Sequence, residues 1–186
     1  MDKDTLRLRF SNVVRVSDGE LQLLETGNDA TLREVIVTGL PDDAYAVKID
    51  PIKVQKLFSC EKDWAYNKHG DYLIVTDNEL IVVEMKSKMD LTDDVVNDVK
   101  LKFKSDTCIL NYCDSVFRVM LEKNPFFGSK PTYFVLFYQK LPIQKLTTVP
   151  PVLPPAPPQH LKPDAFARLQ VANGEKVNVK RLLRGI

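Results

Sequence analysis

Asp71, Glu84 and Lys86 are the residues whose types and spacing point to chemistry. Two apolar, β-branched-rich runs, residues 71–75 and 80–83, lie between them, separated by the polar Thr76, Asp77, Asn78 and Glu79. This pattern predicts a hairpin that turns either on Asp77-Asn78 or on all of residues 76–79. Both loops have the same centre, so position 71 faces position 84 across the ladder. Directly opposed residues hold their Cβ atoms roughly 4.5–5.5 Å apart, where like charges repel. Strand alternation puts Lys86 on the face of Glu84 and turns Met85 away.

Leu73, Val75, Leu80 and Val82 make one face of this hairpin apolar, and Tyr72, Ile74, Ile81 and Val83 the other. Strands of that kind are central in a sheet and covered on both sides. An unpaired carboxylate there is costly, so the acids need compensation, protonation or a place at the exposed end of the strands. A divalent cation between Asp71 and Glu84 compensates both, and hard oxygen donors suit magnesium, which keeps several waters for chemistry. Lys86 beside it could orient or deprotonate an attacking water, or neutralise charge developing on a phosphate. The plainer alternative is an ion pair between Lys86 and one acid at a hairpin end in solvent.

An acid, a strand-like spacer and then Glu84-Met85-Lys86 at the end of the next apolar strand resemble the PD-(D/E)XK motif of the restriction-endonuclease-like nucleases. The resemblance covers roughly residues 45–138 and implies an α/β fold: an αβββαβ core with a mixed central sheet. It implies that Asp71 and Glu84 are metal ligands, that the Met85 backbone carbonyl is a further ligand, and that Lys86 is the catalytic lysine, with magnesium or manganese as cofactor. Gly70 stands where the motif's proline would be, and an acid on the first core helix has only Asp50, Glu61 and Asp63 as candidates. His69 is not assigned to the site. The implied activity is metal-dependent endonuclease hydrolysis of nucleic acid, DNA ahead of RNA, in defence against foreign DNA or in repair. The alternative is a catalytically inactive nuclease-like subunit that binds a protein through its N-terminal extension or its proline-rich tail.

The elements after the triplet follow the order such a core needs. Thr92 and the acids Asp93 and Asp94 predict a helix start with a capping hydroxyl. Val95, Val96, Val99 and Phe103, then Ile109, Tyr112, Cys113, Val116, Phe117 and Met120, make one apolar stripe that runs to Asn124-Pro125. Residues 132–138 are a strand. Lys100-Leu101-Lys102 occupies the place of a Gln-Leu-Lys-like stretch found in related nucleases. Lys100 and Lys102 are therefore candidate phosphate contacts, and Lys88 is another by its closeness in sequence to the site; ordinary solvated surface is the plainer reading.

Composition bounds the rest. The chain has 186 residues, 44% hydrophobic and 27% charged, enough for one packed domain with extensions. No apolar run spans a bilayer, and the start resembles neither a signal nor a transit peptide. Cys60, Cys108 and Cys113 lack CxxC spacing, which argues for a reducing, cytoplasmic setting, with Cys108 and Cys113 at core or boundary positions of the helix. A net charge of +1 supplies no global basic field for nucleic acid. A protein partner or a second copy holding the substrate would remove that requirement.

The expected organisation is a β-rich extension over residues 1–44, a nuclease-like core over 45–146, a proline-rich linker over 147–163 and a docking segment over 164–186. The extension contains strand-like residues 6–10, an Asp18-Gly19 turn and a strand near 35–37; the core opens with a strand at 45–49 and a short helix expected at 52–58. The linker holds about half of the chain's 12 prolines and favours polyproline II, as a spacer or as a ligand for an aromatic groove. Residues 164–169 suggest a helical turn, and 177–183 a strand.

Overall fold

A computed structural model describes residues 7, 10, 12–49, 68–139 and 161–184. The chain opens with strands β1 (Val13–Arg15), β2 (Glu20–Leu24), β3 (Glu34–Thr38), β4 (Tyr45–Lys48), β5 (Tyr72–Val75) and β6 (Leu80–Lys86); burial alternates along β2 and β3, whereas β5 is buried throughout and β6 as far as Met85. Helix α1 (Asp93–Met120) follows, then a 3-10 turn (Phe127–Ser129), strands β7 (Thr132–Gln139), β8 (Ala167–Val171) and β9 (Glu175–Asn178), and helix α2 (Val179–Arg184). The fold is α/β with a mixed sheet. Its six strands run in the order β1-β4-β5-β6-β7-β8, and β2-β3-β9 form a second, three-stranded sheet. Pairing is antiparallel from β1 to β6 and parallel from β6 through β8. The β6-to-β7 step is parallel and therefore needs a crossover, which α1 supplies.

Two hydrophobic clusters account for the doubly apolar hairpin. Tyr72, Ile74, Ile81 and Val83 pack with Leu21, Leu23, Val35 and Val37 of the small sheet and with Leu182 of α2. Leu73, Val75, Leu80 and Val82 pack with Val96, Val99, Phe103, Leu110 and Phe117 of α1. The central strands thus lie between a small sheet on one side and a long helix on the other.

Several expectations are corrected. Thr92 precedes α1 in an extended conformation, but its hydroxyl makes no cap; the helix begins instead with the Val96 N–H on the Thr92 carbonyl. α1 ends at Met120, ahead of Pro125, because Glu122 turns left-handed (φ 50°) and the Lys123 N–H returns to the Phe117 carbonyl. Tyr112 and Met120 are 58% and 73% exposed, since the buried face follows Val96, Val99, Phe103, Leu110 and Phe117 and leaves Tyr112 on the opposite side. Cys108 is exposed for the same reason, whereas burial pushes the Cys113 thiol up to about 11. Residues 167–171 form a strand rather than a helical turn: Ala167, Leu169 and Val171 alternate inward and pair with β7. The expected strand at 177–183 stops at Asn178, whose side-chain oxygen takes the Lys180 N–H and starts α2.

Both chain ends enter the same two sheets, with β1 on β4, β8 on β7 and β9 parallel to β3. At the far end of α1, the buried Asp114 carboxylate accepts the N–H groups of Phe126, Phe127 and Gly128 at 2.7, 2.9 and 2.6 Å. The expected helix at 52–58, most of the strand at 6–10, the polar connection up to residue 67 with Trp64, the acids Asp50, Glu61 and Asp63, Cys60 and the proline-rich tract lie outside the described residues. Among the described residues, no helix is long and apolar enough to cross a membrane.

Candidate functional site

Leu80 pairs with Val75 and Val83 with Tyr72, so the loop comprises Thr76, Asp77, Asn78 and Glu79. Thr76 closes it: its hydroxyl accepts the Asn78 and Glu79 N–H groups and donates to the Glu79 side chain. One further step of this register sets Asp71 against Glu84. The ladder changes character there. The Asp71 N–H donates to the Val83 carbonyl at 2.8 Å, and the Asp71 carboxylate, through Oδ2, takes the Met85 N–H at 2.6 Å. Asp71 and Glu84 continue the Leu73 and Val82 face, the one α1 covers.

Glu84 is 1% exposed. Its Oε1 lies 2.6 Å from Lys102 Nζ and 2.8 Å from Lys86 Nζ, while its Oε2 has no hydrogen-bond partner among the described residues. Lys86 also reaches Asp98 at 3.3 Å, and Lys68 holds the other oxygen of Asp98 at 2.7 Å. Asp71, Glu84 and Lys86 therefore come together, and Met85 turns its side chain to the opposite core. Lys88 is exposed and Lys100 partly buried; neither bonds to the acids among the described residues. Lys102 is not ordinary helix surface. It is drawn inward because Glu84 is buried beneath α1 and needs a cation.

The sequence reading also left out Asp98 and Asp106. They flank Lys102 at intervals of four, so Asp98, Lys102 and Asp106 form one ladder beside the apolar stripe of α1. That spacing was the available signal. His69 is 2% exposed and meets Asp106 through Nδ1 at 3.2 Å. The small sheet steadies the same end of the hairpin. The Tyr72 hydroxyl donates to the Leu24 carbonyl and accepts the Leu24 N–H, and Ser87 Oγ accepts the N–H groups of Thr31 and Leu32.

Gly70 explains its departure from the proline of the motif. Its N–H donates to Asp106 Oδ2 at 3.0 Å, and an added Cβ would lie 3.0 Å from both that oxygen and the Val83 carbonyl. A proline has no N–H and would fill that space. Gly70→Pro makes the sequence look more like the motif, yet it is expected to destabilise the fold by roughly 1–3 kcal/mol. A thermal midpoint equal to that of the parent in circular dichroism would contradict this account.

Burial pushes the Asp71 carboxyl well above its ordinary range, and the Glu84 charge adds to this, against Lys102 and the Met85 N–H. Burial also raises Glu84 despite Lys102 and Lys86, and raises Asp106 despite His69 and Gly70. For Lys102 burial acts downward, but Glu84 and Asp71 outweigh it and keep the ammonium charged. Burial acts upward on Asp98 and is outweighed by Lys68 and Lys86, which hold it low.

These shifts set the sign of the pH dependence. A carboxyl raised in the folded state binds its proton more tightly there than in the unfolded chain. Its burden on the metal-free fold is full above the folded pKa and is relieved as pH falls toward the unfolded value of about 3.9 for Asp. Asp98 runs the other way, and its stabilisation is lost as pH falls. Asp71→Asn should therefore be more stable than the parent at about pH 7, with the advantage shrinking as pH falls toward the unfolded value of about 3.9. Thermal melts of both proteins across that range check this, and a constant difference would exclude a raised Asp71.

No family model, curated protein or solved structure matches this chain.

Proposed function

We propose that this chain is a metal-dependent nuclease with a restriction-endonuclease-like core, β4-β5-β6-α1-β7, hydrolysing phosphodiester bonds of nucleic acid. The observation that carries the reading is the buried Glu84: one oxygen holds two ammonium groups, and the other is left without a hydrogen-bond partner beside the like-charged Asp71. An unpartnered Glu84 oxygen beside a second carboxylate suits a small hard cation. Among the described residues no group of three or more His, Cys, Asp or Glu side chains is arranged to hold a metal ion. Magnesium fits such a sparse set, because it binds through one or two carboxylates and retains waters and substrate phosphates as its other ligands.

Asp71 and Glu84 would hold magnesium or manganese, with the Met85 carbonyl adjacent. When bound, the ion would supply Lewis-acid activation of water and stabilisation of the departing oxygen. Lys86, partly exposed, would orient the attacking water or take its proton, and Lys102 and Lys68 would neutralise charge on the phosphate. DNA is the favoured substrate over RNA, in cytoplasmic defence or repair. A protein partner or second copy would offset the net charge of +1.

One observation favours a second reading. Lys102 already neutralises Glu84 internally, as a site that had lost its metal would require. That version is an inactive, protein-binding subunit. Calorimetric titration with manganese and magnesium, followed by cleavage assays on DNA and RNA, separates the two. Binding with ion-dependent cleavage supports the nuclease; neither binding at millimolar ion nor cleavage leaves the second reading.

A further inference from the structure

Asp106 sits one turn beyond Lys102 on α1 and touches neither Glu84 nor Lys86 through a hydrogen bond or ion pair among the described residues. Its two oxygens are spent on consecutive residues instead: Oδ1 lies 3.2 Å from His69 Nδ1, and Oδ2 accepts the Gly70 N–H at 3.0 Å. Those residues immediately precede Asp71. The next amide, that of Asp71 itself, is held by the Val83 carbonyl, and the Asp71 carbonyl takes the Ile49 N–H at 3.0 Å. The chain is thereby pinned between helix and sheet at the point where the Asp71 side chain leaves it. The absence of a side chain at Gly70 is what admits the Asp106 carboxylate, since a Cβ there would crowd both Asp106 Oδ2 and the Val83 carbonyl.

We infer that Asp106 is a positioning residue: it fixes the backbone before Asp71 and so aims the Asp71 carboxylate at the Met85 N–H and toward Glu84. Its consequence for metal binding rests on the nuclease reading; its consequence for the Asp71–Met85 hydrogen bond does not. Asp114 provides the internal comparison. It is equally a buried carboxylate of α1 that holds backbone N–H groups, but it does so at 126–128, where its bonds are to Phe126, Phe127 and Gly128. A capping role that is merely structural should give the same consequences at both places.

The test compares Asp106→Asn with Asp114→Asn in the full chain, reading the Met85 amide resonance by NMR and manganese affinity by calorimetry. Asp106→Asn is expected to move the Met85 amide proton upfield, as its hydrogen bond lengthens, and to weaken manganese binding by about 10-fold or more. Asp114→Asn should lower the thermal midpoint while leaving both in place. If Asp106→Asn does not fold, Gly70→Ala displaces the same carboxylate without removing its charge and should shift the same resonance. An unmoved Met85 resonance in the folded variant overturns the inference. A moved resonance in a protein whose parent binds no manganese upholds the positioning role and removes the nuclease reading instead.

Discussion

Replacing Lys102 by methionine is expected to lower the thermal midpoint by roughly 10 °C, because breaking a buried ion pair costs about 3–5 kcal/mol and each kcal/mol is worth about 2–4 °C in a chain of this size. Methionine keeps much of the stem's packing and removes the charge. Glu84, 1% exposed, would then have only Lys86, which is 23% exposed and shared with Asp98. The loss would come from an uncompensated carboxylate rather than from a cavity. Adding Glu84→Gln to Lys102→Met should therefore recover much of the lost stability, since a neutral amide tolerates burial far better. Saturating manganese should narrow the deficit of the single variant if the nuclease reading holds. An unchanged midpoint in Lys102→Met would return Lys102 to the helix surface.

Asp71→Asn, Glu84→Gln and Lys86→Met are each expected to reduce ion-dependent phosphodiester cleavage by about 10³-fold or more, the loss that several kcal/mol of transition-state stabilisation represents. Asp71→Asn removes a charge whose burial is costly, so it should fold at least as well as the parent while losing activity, whereas Glu84→Gln also takes the partner from Lys102. In Asp71→Asn that opposition separates a catalytic effect from unfolding. Single-turnover cleavage and thermal melts on the same preparations measure both. Full activity in Lys86→Met would end the proposed role of the lysine, and full activity in Glu84→Gln would end the metal site.

The hairpin was legible because it is local. Alternation in residues 72–75 and 80–83 assigned every side chain to the face it occupies, and the loop of Thr76 to Glu79 set the register that confronts Asp71 with Glu84. The α1 crossover and the strand after it were readable for the same reason, from a sustained helical period followed by a short β-rich run. Errors gathered at ends and edges. Tyr112 and Met120 fit the expected helical stripe but lie outside the real core, and the 3.6 period alone cannot say where the edge of the buried face falls. β8 and β9 are short segments that acquire strand character by pairing with β7 and β3, partners distant in the chain.

The sequence by itself determined that two carboxylates and an amine share one face of an apolar hairpin, because strand alternation and a centred loop leave no other arrangement. Only the tertiary structure decided what lies over that face. Lys102 belongs to the site because α1 crosses above Glu84, and a buried carboxylate draws in whatever cation the covering element presents. Asp106 reaches His69 and Gly70 because the helix approaches closely where Gly70 has no side chain. Contacts of that kind depend on how two elements dock, and spacing within either element does not encode the docking.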